Sequence, residues 1–139
     1  MRPYRPALLW AALLLAACGD RDTTDDSQDT ATYEELREID AGPYSVSWAP
    51  VPDPIPFNDY FAVNLEVKEG GSPLTDAVVT VDAGMPAHGH GMNVTPTVTD
   101  NGDGTWTADG LLFHMEGHWE LKVDVNEEQA VFDITCCAQ

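Results

Sequence analysis

The chain's 4 histidines all fall between residues 88 and 118, in two groups that each contain methionine. The first is Met85-Pro86-Ala87-His88-Gly89-His90-Gly91-Met92. The second is His114-Met115, with His118 close behind. If the first stretch is extended, His88, His90 and Met92 project to one side, because side chains two apart share a face. Gly89 and Gly91 remove bulk between them. Imidazole nitrogen and thioether sulfur together favour a soft or borderline metal, above all Cu(I), and methionine is a poor ligand for Zn(II), Mg(II) or Ca(II). A thioether needs no deprotonation, so it works in an oxidising compartment where a thiolate is at risk. A second ligand source has to come from another strand, and His114-Met115 supplies it. The same residues also admit a plainer role. Met85 can close the end of a strand, glycine-flanked histidines can cap a loop, and Met115 shares parity with Leu111 and Phe113 as a core residue would. Trp106 and Trp119 read as core residues rather than as lids over a metal.

The N-terminus says where such a site would work. Met1 to Pro6 is basic, and Ala7 to Ala17 is an apolar run rich in Leu and Ala. The run is shorter than the about 20 apolar residues a bilayer span needs, but it suits a signal peptide. It ends in Leu15-Ala16-Ala17-Cys18-Gly19, which resembles the bacterial lipobox, with Cys18 acylated as the mature N-terminus. The expected location is the cell envelope: anchored to the lipid bilayer through Cys18, at the outer membrane facing the periplasm or at the cell surface. The chain carries 6 Lys+Arg against 24 Asp+Glu, a net charge of −18. Loss of Arg2 and Arg5 with the leader leaves 4 cations and a net of −20. Such a charge repels nucleic acid and anionic headgroups. Of the 3 cysteines, only Cys136-Cys137 remains beside Cys18, so no long-range disulfide framework is available. That vicinal pair could bind Cu(I) or form a disulfide, and it stays outside the expected site.

Three segments make up the chain: 1–17 as leader, 18–43 as a lipidated cysteine with a disordered acidic linker, and 44–139 as a folded domain. The linker is crowded with Asp, Thr and Ser, including Asp25-Asp26 and Asp29. Within it, Thr32 to Ile39 has the composition of a short helical turn. From Tyr44 the apolar period becomes two. Tyr44, Val46 and Trp48 alternate, then Phe61, Val63, Leu65 and Val67, then Trp119, Leu121, Val123 and Val125, then Ala130, Phe132 and Ile134. Ala77 to Val81, Thr95 to Thr99, Thr105 to Ala108 and Leu111 to Met115 read as further strands. About seven short strands with close turns predict an all-β, immunoglobulin-like antiparallel β-sandwich.

Asp100-Asn101-Gly102-Asp103-Gly104 invites a calcium reading, but glycines stand where alternate oxygen ligands belong and Leu111 stands at the twelfth position. It reads as a hairpin turn. No nucleophile elbow, His-Glu-x-x-His helix or phosphate-cradling loop is present in the sequence, and catalysis is not expected.

Asp76-Ala77, Met85-Pro86-Ala87-His88-Gly89-His90-Gly91-Met92, Gly104-Thr105-Trp106 and Gly110 to Leu121 together resemble the YtkA-like domain, a relative of FixH-type proteins. The resemblance implies an immunoglobulin-like fold, an extracytoplasmic place and a link to copper handling or oxidase maturation. Carried over residue by residue, it makes Met85, His88, His90, Met92, His114 and Met115 the candidate metal ligands. FixH-type relatives sit on a transmembrane helix, whereas this chain has a lipobox. Two functions remain open on the sequence. One is a copper module that buffers, traffics or senses Cu(I), with a copper donor or acceptor protein as partner. The other is a metal-free structural or protein-interaction lipoprotein domain.

Overall fold

The computed structural model describes residues 33–137, so the leader, Cys18 and residues 19–32 of the expected linker lie outside the described residues. Period-two alternation produces strands wherever one face can be buried. Strand β1 is Glu38–Ala41, β2 Tyr44–Val51, β3 Tyr60–Glu69, β4 Ser72–Pro73 and β5 Val79–Met85. A 3-10 turn, Pro86–His88, leads to β6 at His90–Gly91. Then come β7 Thr97–Asp100, β8 Thr105–Leu112, β9 Gly117–Val125 and β10 Glu128–Cys136. One sheet runs β1-β2-β3-β8-β7 with β4 beside β3, the other runs β10-β9-β5-β6, and every pairing is antiparallel. This is the antiparallel β-sandwich that the strand pattern implies. The strands beyond the expected seven are β1, β4 and β6, each of four residues or fewer.

The core is the set of inward positions from both sheets. Val46 and Trp48 of β2 face inward with Phe61, Val63, Leu65 and Val67 of β3. Opposite them lie Val81, Ala83 and Met85 of β5, Trp119, Leu121 and Val123 of β9, and Phe132 and Ile134 of β10. Full burial of such side chains contributes about 1.5–3 kcal/mol each before the entropy of ordering is subtracted. Trp48 reaches across the sandwich to Phe132, with ring centroids 5.9 Å apart.

Strand β8 changes face partway along. Trp106 and Ala108 point inward, and so do Leu111 and Phe113, which have the opposite parity. The switch occurs at Gly110, whose φ of +88° only glycine adopts without strain. There the pairing with β3 slips between Phe61 and Ala62. A bulge of this kind re-aims the chain beyond it, and the segment it re-aims here is Phe113-His114-Met115.

The residues expected to form a helical turn instead lead into a strand. Trp48 donates its backbone N–H to the Arg37 carbonyl and its indole N–H to the Leu36 carbonyl, at 3.0 and 2.9 Å. The Arg37 guanidinium lies 4.2 Å over the Trp48 ring. These tertiary contacts outweigh the weak helical preference of so short a segment. The ordered sheet therefore starts at Glu38, ahead of the expected Tyr44. The Asn101–Gly104 hairpin forms as read: Asp100 Oδ1 accepts from Gly102 N–H, and Asp103 Oδ1 accepts from Thr105 N–H and Oγ1–H.

Candidate metal centre

Three chain segments meet at one end of the sandwich: β5 through β6, the β8–β9 loop, and the Pro52–Asp59 bridge, where Asn58 N–H donates to the Phe113 carbonyl at 3.0 Å. The first segment is not extended throughout, as a face shared by His88, His90 and Met92 would require. Pro86 starts a 3-10 turn, and Gly89, at φ +64°, ends it by donating its N–H to Met85 and Pro86 carbonyls. The chain then doubles back, so that His90 and Gly91 pair with Met85 and Gly84. The hairpin, rather than strand alternation, sets the histidines side by side. The His88 and His90 ring centroids are 5.7 Å apart, and His90 and His114 are 5.3 Å apart.

Each candidate has a definite place. His88 and His90 are exposed, while His114, Met92 and Met115 are half-buried. Met85 is only 2 % exposed and belongs to the core. Its methyl group lies against Gly117, where a Cβ would come within 3.2 Å of it. Gly117 also has φ +125°, so both space and backbone call for glycine there. Met92 and Met115 pack against the same core. His90 Nδ1 lies 3.2 Å from the Gly91 carbonyl, to which it donates; in the neutral ring that tautomer puts the lone pair on Nε2. His114 Nδ1 is buried and has no hydrogen-bond partner.

Beneath the histidines lies a residue that the sequence marked only as core. Trp119 is fully buried and stacks on Phe113, with centroids 4.4 Å apart and planes 7° from parallel. It meets His114 and His90 edge-on, at 5.6 and 6.3 Å. Its indole N–H donates to the Met115 carbonyl at 2.9 Å. The available signal was its spacing from His114, but only the fold shows that the indole touches both histidine segments.

His118 is used elsewhere. It faces outward on β9, its Nε2 lies 2.7 Å from Asp133 Oδ1, and the Tyr33 ring stacks on it at 3.6 Å. Cys136 and Cys137 are joined as a vicinal disulfide, with Cys136 buried.

An ion held by two imidazoles at about 2.0–2.1 Å from each nitrogen puts their ring centroids about 5–6 Å apart. The His88–His90 and His90–His114 separations fall in that range, and the orphaned His114 nitrogen leaves a donor unused. The residues present therefore fit a metal. Among the described residues, no three His, Cys, Asp or Glu side chains converge closely enough to hold an ion by themselves. Met92 and Met115, half-buried and packed against the core, are the thioethers on the two chain segments that carry these histidines.

No curated protein matches the chain. The profile of the YtkA-like family matches residues 40–124, from the end of β1 to nearly the end of β9 and across the whole histidine end. Since that match covers more than half of the sequence, the chain belongs to the YtkA-like family.

Proposed function

We propose that this protein is a lipid-anchored, extracytoplasmic copper-binding module, acylated at Cys18, that holds copper as Cu(I) for trafficking, buffering or oxidase maturation. The observation that carries the reading is the buried, unpartnered Nδ1 of His114, set beside His90. Leaving such an atom unsatisfied costs about 1–3 kcal/mol, so a fold that keeps it needs a use for it. His90 and His114 would hold the ion, with His88 beside His90, a thioether from Met92 or Met115 to complete the set, and Met85 as core support. An imidazole and thioether set carries no negative charge, so a dication there would keep its full charge in a partly dry site.

The module binds rather than catalyses. A copper donor or acceptor protein would approach the same end, where Val51, Phe57 and Tyr60 expose 51 %, 44 % and 62 % of their surfaces. The test is an anaerobic Cu(I) competition titration on a soluble form beginning at Gly19, beside a variant with His88, His90 and Met92 all changed to Ala. Tight one-to-one binding that is lost in the variant supports the reading. Equal affinity in both proteins sinks it and leaves the loop as a contact surface for a partner.

A further inference from the structure

We infer that Trp119 is the positioning residue of this site, acting through its indole N–H on the loop that carries His114; the inference rests on the metal-binding reading above. Two of the histidines come from one hairpin, and their mutual placement is local. His114 comes from the other sheet's connection to β9, so something must register it against His90. Strand pairing does not, because β8 ends at Leu112 and β9 begins at Gly117, and His114 sits in the gap. Strand parity lapses there, as the half-burial of both His114 and Met115 shows.

Trp119 spans that gap. Its ring plane is fixed by the stack on Phe113, directly before His114, and its N–H is fixed on the carbonyl of Met115, directly after it. The residue on each side of His114 is thus tied to one rigid, fully buried side chain. The same ring meets His90 edge-on. The hydrogen bond to the part-buried Met115 carbonyl is directional, whereas the stack alone permits sliding. Trp119→Phe keeps a six-membered ring for the stack and removes the N–H, together with the five-membered ring, whose loss also opens a small cavity in the core. The backbone pairing that sets His88 beside His90 does not use the indole N–H, so the effect should fall most heavily on His114.

The probe is Ag(I), a monovalent ion that does not change oxidation state during the titration, added to the full chain while the imidazole resonances are followed by NMR. In the wild-type protein, His88, His90 and His114 respond together at one equivalent. In Trp119→Phe, with a cooperative thermal transition confirming the fold, His88 and His90 still respond, His114 drops out, and affinity falls about tenfold, the scale of one hydrogen bond. In the metal-free variant, amide exchange at Met115–Gly117 accelerates. A merely structural role would weaken all three responses together. Should Trp119→Phe not fold, Phe113→Leu keeps the N–H anchor while removing the stack: a retained His114 response supports the inference, and a lost one overturns it. Wild-type affinity and a full His114 response in Trp119→Phe overturn it too. Failure of the wild-type protein to bind Ag(I) at all instead sinks the metal reading, and this inference with it.

Discussion

Replacing His114 by Leu should stabilise the metal-free domain and cost it its ligand. The buried Nδ1 has no partner, and an orphan of that kind costs about 1–3 kcal/mol. Leucine is close to imidazole in size, so the change removes the orphan without opening a large cavity. Against this, the edge contact of His114 on Trp119, at 5.6 Å and 79°, is lost, and such a pair contributes about 0.5–1.5 kcal/mol. The difference favours the variant by about 1 kcal/mol, which for a domain of this size is about 4–8 °C in Tm. With ligand the order reverses. A metal at a hundred times its Kd stabilises the wild-type protein by about 2.7 kcal/mol, and the variant gains far less. Thermal or urea unfolding of both proteins, with and without Ag(I), measures all four states. The crossing of stabilities is the signature of a group kept for binding at the expense of folding. If His114→Leu destabilises the metal-free protein by about 1 kcal/mol or more, the orphan is not a cost. If it shifts with Ag(I) as the wild type does, the orphan is not a donor. Either result refutes the reasoning.

Tyr33→Ala should free the segment before β1 without unfolding the sandwich: the stack on His118 at 3.6 Å is one aromatic pair, about 0.5–1.5 kcal/mol. Limited proteolysis should then cut near residues 33–37 sooner, while Tm moves by a few degrees at most. Asp103 tests the β7–β8 hairpin through pH. The Thr105 hydroxyl and backbone N–H donate to its carboxylate and hold its pKa below the ordinary value. A pKa depressed by folding stabilises the protein at pH values above the unfolded pKa of about 3.9, and that contribution is lost as pH falls through the folded value. Asp103→Asn should therefore flatten the acid limb of the stability curve below about pH 4 and leave the shape unchanged above about pH 6, as read by denaturation at a series of pH values.

Legibility in the sequence obeys a single rule: contacts that repeat along a strand are readable, and contacts made once across space are not. Alternation locates β2, β3, β9 and β10 because a half-buried strand repeats its demand every second residue. The β7–β8 hairpin is readable because glycines mark positive φ locally. The short strand β1 escapes such reading because its stability comes from Trp48, whose backbone and indole N–H groups reach back to Arg37 and Leu36. The site divides the same way. Histidine and methionine types, clustered, point to a metal, but one face for His88, His90 and Met92 requires an extended chain. Pro86 and Gly89 instead turn it, and the side-by-side rings come from β6 folding back on β5. Met85, at the head of the motif, is a candidate ligand by type, yet its parity within β5 places it in the core with Val79, Val81 and Ala83. Conversely, the bulge at Gly110 reads in the sequence as the gap between Thr105–Ala108 and Leu111–Met115, although it lies within one strand and decides which side of the sandwich Phe113 faces, and hence where His114 stands. The ligands of such a site are therefore a property of residue type, while their convergence is a property of Gly110, Gly89 and Trp119, which donate nothing to a metal. Changing any of these three should move the site without altering one candidate ligand.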